Sequence, residues 1–288
     1  MKKNRKIFIL YIILFLGLNF SCSESQLPDF NKLDKPRIIA LVANKPEANP
    51  AEPTITITPV ISDLAAVVGV RDSAQVCIDF GIAFGVDPTC ENNLTKIILF
   101  SFRSLSLPGL ASSWTGSADS FSFSIPSAAV IFSQRSSQDM YNGVNYLVEY
   151  TLHSPSGQNI KTIKRIVITE SAKVLKNTNP VLTNIFADGT AMTNLPINTS
   201  VTVTSNLSSS SAENYSTKDT SGNLKNYTEE LAVTWFITDG VTKFYRSEVN
   251  QGNKYDGPVS APAGRKGYIF AVARDNRGGV AIVKQQLN

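Results

Sequence analysis

His153 is the only histidine among the 288 residues, and Cys22, Cys77 and Cys90 are the only cysteines. A Ser-His-Asp site would need His153 as its base. No G-x-S-x-G elbow accompanies it, and it sits at the end of an alternating strand, on the face opposite Tyr150 and Leu152. It reads as an exposed strand-end residue. Zinc needs several His or Cys ligands, and the chain offers no C-x-x-C. Oxygen ligation is the other candidate chemistry. Asp188-Gly189, Asp239-Gly240, Asp256-Gly257 and Asp275-Asn276 recur at strand ends. Carboxylate and amide oxygens gathered at loop tips suit calcium, but the same dipeptides are ordinary turn formers. Without a D-x-D-x-D-G loop, turn chemistry is the preferred reading. No metal and no cofactor are expected.

A third set of residues suits contact rather than reaction. Ser205 to Glu230 is polar and patternless, with Ser208 to Ser211 in a row and Tyr215 and Tyr227 interspersed. Connections beyond about 12–15 residues are usually functional or disordered, and Tyr and Ser are adaptable contact residues. The segment is expected to be a structureless loop. It is either a binding loop carried by Tyr215 and Tyr227 or a mobile, solvated insertion.

The N-terminus carries the most specific signal. Lys2, Lys3, Arg5 and Lys6 precede an apolar run from Ile7 to Leu18, then Asn19-Phe20-Ser21-Cys22, then polar Ser23-Glu24-Ser25-Gln26. This charged, apolar, small order is that of a secretory signal, and the run is short of the roughly 20 apolar residues of a membrane span. The stretch resembles a bacterial lipoprotein signal, although Leu18 stands four residues before the cysteine where that family usually has it three before. The resemblance implies cleavage before Cys22 and palmitate-type acylation of its thiol and freed amine. It places the chain in the bacterial cell envelope, and Ser23 favours the outer membrane. Two or more acyl chains give stable anchoring, so the membrane becomes a partner through the lipid. An uncleaved N-terminal anchor is the alternative.

With Cys22 acylated, Cys77 and Cys90 remain as one even pair, which reads as a disulfide in an oxidising compartment. The chain has 27 Lys+Arg against 23 Asp+Glu, a formal +4. Four of those cations lie in the signal, so the mature chain is balanced at 23 against 23. The basic patch that a nucleic-acid partner requires is absent.

The elements that would position these residues are strands. Thr54-Ile55-Thr56-Ile57-Thr58 alternates strictly, as a half-buried strand does, and Pro59 suggests an edge or a bulge. Further strands are predicted at Arg37–Val42, Val76–Phe84, Lys96–Phe102 and Ser120–Ile125. Asn145–His153 and Ile160–Thr169 flank Ser154-Pro155-Ser156-Gly157, a hairpin turn. The second half repeats the plan at Val181–Ala187, Ser200–Thr204, Leu231–Ile237, Lys243–Val249, Tyr268–Arg274 and Val280–Gln285. In the C-terminal hairpins, Tyr146, Val148, Tyr150 and Gly157 align at constant offset with Tyr268, Phe270, Val272 and Gly279. No segment shows a sustained helical period.

Leu231 to Gly240 followed by Ala273-Arg274-Asp275-Asn276-Arg277-Gly278-Gly279-Val280 resembles bacterial lipoproteins with tandem immunoglobulin-like or PKD-like domains. The resemblance implies an all-β chain of two antiparallel sandwiches, with Trp235 buried on the third strand. The organisation is a signal at 1–21, a tether at 22–35, and immunoglobulin-like sandwiches at 36–170 and 180–288. The function implied is non-catalytic: adhesion, or binding of a protein or carbohydrate at the envelope. A structural spacer without a ligand is the rival, and a hydrolase a more distant one.

Overall fold

A computed structural model describes residues 30–52, 54–62, 68–81, 86–105, 120–249, 251–264 and 266–287. The signal and Cys22 lie outside the described residues. The first half contains β1 (Arg37–Ala43), β2 (Glu47–Ala48), β3 (Ile55–Ser62), β4 (Arg71–Ile78), β5 (Ile97–Ser104) and β6 (Phe121–Phe123). Helices α1 (Ala128–Ile131) and α2 (Ser137–Asn142) follow, then β7 (Val144–His153) and β8 (Asn159–Ile168). The sheets run β1-β3-β6 and β2-β8-β7-β4-β5. In the lettering used for immunoglobulin-like sandwiches this is A-B-E facing A′-G-F-C-C′, with A′ parallel to G.

The second half contains β9 (Leu182–Ala187), β10 (Thr190–Ala191), β11 (Ser200–Leu207), β12 (Asn214–Lys218), β13 (Leu224–Thr228), β14 (Leu231–Ile237), β15 (Val241–Thr242), β16 (Arg246–Glu248), β17 (Asn253–Asp256), β18 (Gly267–Asp275) and β19 (Val280–Leu287). Its sheets run β10-β9-β11-β17-β15 and β16-β14-β18-β19, the same A-B-E against C-F-G plan. The fold is all-β, with immunoglobulin-like antiparallel sandwiches and, among the described residues, two short α-helices that the sequence did not announce.

Side-chain alternation explains the first core. On β3, Ile55 and Ile57 are fully buried, while Thr56 and Thr58 point outward and meet the hydroxyls of Ser122 and Ser120 at 2.9 Å. Phe121 and Phe123 of β6 turn inward onto Tyr150 and Tyr146 of β7. Pro59, opposite Leu41, lies beyond the reach of β6, whose pairing stops at Ile57. A residue without an amide hydrogen therefore breaks no bond on that side. The turn after β7 forms as its residues require: Gly157 donates to Ser154 O at 2.9 Å and takes φ +83°. That left-handed value costs glycine little.

In the second core Val233, Trp235 and Ile237 of β14, with Ile269 beside them on β18, face Val203 of β11 and Tyr255 of β17. Trp235 is fully buried, and its indole N–H donates to Ser247 Oγ at 2.9 Å. The polar edge of the ring is thereby satisfied inside an apolar site.

Asn31–Asn288 form one compact unit. A third apolar cluster joins the two sandwiches: Leu33, Ile39, Ala40 and Val60 pack on Phe236, Tyr268, Phe270, Val272 and Val280. This overturns the aligned offset between the C-terminal hairpins. Tyr146, Val148 and Tyr150 face the core of their own sandwich. In β18 that role falls to Ile269, Ala271 and Ala273, while Tyr268, Phe270 and Val272 face the other sandwich. A slip of one residue exchanges the faces of a strand, and β18 is apolar on both.

Other segments also depart from expectation. The end of the stretch expected as a tether is docked: Ile237 N donates to Asn31 O at 2.9 Å, Leu33 N donates to Ile237 O at 2.7 Å, and Leu33 is fully buried. Residues 22–29 lie outside the described residues. The strand expected at Lys243–Val249 is confined to Arg246–Glu248, because β15 leaves for the opposite sheet just before it. The strand expected at Val76–Phe84 begins earlier, at Arg71, and ends at Ile78. Residues 82–85 lie outside the description.

Candidate functional site

The stretch from Ser205 to Glu230 is ordered, not structureless. β11 continues to Leu207, a 3-10 turn spans Ser209–Ser211, and β12 and β13 form a regular hairpin. The hairpin joins the B and C strands of the second sandwich and lies against the first. Asn142 of α2 donates to Lys218 O at 2.9 Å and accepts from Lys218 N at 2.7 Å, and Gln138 donates to the same carbonyl. The Lys218 ammonium reaches Glu170 at 3.3 Å and lies over the Tyr141 ring. The contact begins with α2, whose N-terminus is fixed by a capping box between Ser136 and Asp139.

Tyr215 and Tyr227 are direct cross-strand partners, and their rings stack at 5.6 Å. The Arg277 guanidinium lies 4.6 Å from the centroid of the Tyr215 ring. Arg277 comes from the β18–β19 turn and pairs with two buried carboxylates and with the part-exposed Glu213 at 3.9 Å. It meets Glu47 of β2, and Glu229 at 3.0 Å. The side chains of Glu47 and Glu229 are 1% and 0% exposed, so neither charge has water to stabilise it. Glu47 also receives Lys173 at 2.9 Å, Thr169 Oγ1 at 3.0 Å and the Asn177 amide at 3.1 Å. Burial pushes the Glu229 carboxyl above its usual range; the Glu213 amide and Arg277 pull it back, and the Asp275 and Glu213 carboxylates push it further.

Asp275 shapes the turn that presents Arg277. Its Oδ1 accepts the amides of Arg277 at 2.8 Å and Gly279 at 2.7 Å. A Cβ on Gly279 would stand 2.0 Å from Asp275 Oδ2 and 2.8 Å from Thr178 O, so only glycine fits. Lys164 of β8 donates to Gly278 O across the same seam. Burial pushes its ammonium down to about 8; Asp275 opposes the shift and Arg274 adds to it.

Tyr227, with 46% of its surface exposed, is the outermost ring of this column. Beside it Leu175, from the segment between the sandwiches, is 64% exposed. With Asn214, Ser216, Asn226 and Thr228 they border a recess of about 430 Å³. A second cleft, about 720 Å³, opens at the base of the hairpin between Glu230, Leu231, Phe244, Tyr245, Arg246 and Gln251. The order of the hairpin decides what the face can do. An aromatic surface already held in place loses little entropy on contact.

The remaining sequence candidates are dispersed. His153 Nδ1 donates to Asn159 Oδ1 at 3.0 Å, its Nε2 is hydrogen-bonded to Ser73 Oγ at 2.8 Å, and its ring lies against Phe102. Asp188 ties its turn to β11, accepting from Thr202 N at 2.8 Å, while Asp256 is held by Ser200 and Lys254. Among the described residues no three His, Cys, Asp or Glu side chains gather as metal ligands. Cys77 and Cys90 form a disulfide with Cα atoms 5.6 Å apart, inside the usual range. It packs on Leu147, and the Cys90 amide donates to Glu149 at 3.0 Å. Burial would raise the Glu149 carboxyl, but that amide with Lys161, Thr89 and Gln75 holds it below its usual value. Among the described residues no helix is long and apolar enough to cross a membrane.

No family model matches the chain, and no curated protein matches it. Solved structures with overlapping strand layouts include the D0-D1 domain of intimin, at 13% identity and TM-score 0.22, covering 87% of this chain and 98% of that one. Murine CEACAM1b follows at 10% identity and TM-score 0.23, with 86% and 98% covered. The Yersinia pseudotuberculosis adhesin InvE has 10% identity and TM-score 0.22, with 86% and 58% covered. Superpositions this loose add nothing to the strand order as grounds for the fold.

Proposed function

We propose that this chain is a non-catalytic protein of the bacterial cell envelope, anchored through lipid on Cys22, that binds a protein or carbohydrate partner on its hairpin face. The observation that carries the reading is the column from buried Glu47 and Glu229 through Arg277 and Tyr215 to exposed Tyr227. Both sandwiches contribute to holding one aromatic ring in place beside Leu175. Rigid aromatic anchors of this kind dominate binding energy where they occur. The N-terminal charged and apolar order, with Ser23 after the cysteine, supports the outer membrane. The sandwiches at 36–170 and 180–288 are the two domains in this reading.

Cross-linking on intact cells followed by affinity capture tests it. A neighbour recovered with the wild-type chain should be lost with Tyr227→Ala. Recovery of the same neighbours with both would sink the binding role of this face. Mass spectrometry of the mature N-terminus should find acylated Cys22; an unmodified product beginning elsewhere would remove the anchor.

A ligand-free spacer is favoured by a different observation. The two sandwiches are joined by an apolar cluster and a buried ion network, as a rigid strut would be. In that case Tyr227→Ala leaves every envelope association unchanged.

A further inference from the structure

The base of the hairpin gathers more carboxylates than its cation can serve. Glu213 and Glu229 tie the two hairpin strands together there. The Glu213 amide donates to Glu229 Oε2 at 3.1 Å, and the Glu229 amide donates to Glu213 O at 2.9 Å. The Glu213 carboxylate takes the amide of Thr178 at 3.1 Å, from the segment between the sandwiches. Hairpin, connecting segment and seam therefore meet at one pair of acids. We propose that this junction is a proton-operated lock: on mild acidification Glu229 takes up a proton, and the hairpin then holds harder to the sandwiches. The inference stands whether or not the hairpin face binds a partner.

Arg277 serves three carboxylates at once: Glu47, Glu229 at 3.0 Å and Glu213 at 3.9 Å. The other cations of the seam are engaged elsewhere. Lys173 pairs with Glu47 at 2.9 Å, Lys164 donates to Gly278 O, and Arg274 donates to Thr234 Oγ1 and Ile39 O. Lys218, at the other end of β12, pairs with Glu170. Asp275 brings a fourth negative charge, and its buried Oδ2 has no hydrogen-bond partner among the described residues. Glu47 has Lys173 besides Arg277, and the Glu213 side chain is 27% exposed to water. Glu229 has neither relief. Its ionised form keeps a share of one guanidinium and no water, and a proton removes that deficit.

The direction of the effect follows from linkage. Burial first, then the Asp275 and Glu213 charges, hold the Glu229 carboxyl above its ordinary 4.5, against the pull of the Glu213 amide and Arg277. From 4.5 up to that raised midpoint the folded chain keeps a proton that the unfolded chain has released. The contribution of Glu229 is therefore full below 4.5 and is lost as pH rises through the folded midpoint. Opening the hairpin returns Glu229 to water while the core of β14, with its fully buried Trp235, stays closed. The change is thus local to the hairpin, as sub-global opening allows.

The test is native-state amide hydrogen exchange of the full chain at pH 5 and pH 7.5, corrected for the intrinsic exchange rates. Protection on β12 and β13 should be several-fold higher at pH 5, with β14 unchanged. Glu229→Gln, neutral at every pH, should abolish the difference and give the hairpin equal protection at both values. Equal hairpin protection in the wild type at the two pH values overturns the proposal. So does a Glu229→Gln variant that keeps the wild-type difference, or an equal change along β14, which would make the effect global. If Glu229→Gln does not fold, the wild type carries the test alone through nuclear magnetic resonance of its carboxyl carbons. Glu229 should then titrate above the ordinary 4.5, and a midpoint at or below that value overturns the proposal.

Discussion

Arg277 places one guanidinium against Glu47, Glu229 and the Tyr215 ring, with only 11% of its side chain exposed. Removing its charge would leave buried Glu229 without a cation and Glu47 with Lys173 alone. Breaking a buried pair from one side costs about 3–5 kcal/mol. We expect Arg277→Ala to lose stability of that order in urea titration, and a loss under 1 kcal/mol would mean that the network is slack. Nothing in the sequence ties Arg277 to Glu47, 230 positions away. Tyr215 and Tyr227 could be singled out from composition, but the side chain that orders them could not.

At the scale of elements, the hairpin of β12 and β13 depends on a helix from the other sandwich. Asn142 makes two of the bonds that hold Lys218, each worth about 0.5–1.5 kcal/mol. Asn142→Ala should speed amide exchange at Lys218 and its neighbours on β12 while leaving β14 protected. Uniform loss of protection across the second sandwich would instead assign Asn142 a global role. The hairpin escaped the sequence because it has no apolar row to read: β13 is exposed along its whole length. β3 was legible because its Thr/Ile alternation matches a strand with Ile55 and Ile57 buried and Thr56 between them turned outward. β18 was located correctly, but its inward face was not, since a strand buried on both sides carries no period-two signal. The disulfide was legible from cysteine number alone once Cys22 was set aside.

For the whole molecule, the seam between the sandwiches sets both stability and its pH dependence. Lys164 titrates near its ordinary 10.5 when unfolded and about 8 when folded. Below pH 8 it is charged in both states, and the fold bears the cost of burying the charge. Between about 8 and 10.5 the unfolded chain holds a proton that the folded chain has released. Stability therefore rises with pH across that window, by on the order of 3 kcal/mol at the limit. Tyr146, pushed up to about 12 by burial, acts in the opposite sense above pH 10. Urea titrations at pH 7.5 and 9.5 should show the rise in the wild type and its absence in Lys164→Met; equal slopes in the two proteins would discount Lys164. A fragment of residues 180–288 would uncover Tyr268, Phe270 and Val272. It should bind a hydrophobic dye and self-associate, whereas the full chain should unfold in one transition. A monomeric, dye-silent fragment would show the seam to be dispensable.

Asn31 and Leu33 are clipped by main-chain bonds to Ile237, at the end of β14 away from the hairpin. A tug applied at Asn31 thus enters through the last residue of a central strand of the second sandwich, bypassing the connection between the sandwiches. The clip and the anchored Leu33 side chain take the load before any hinge can turn. Under traction the hairpin should hold a fixed bearing relative to the point of pull.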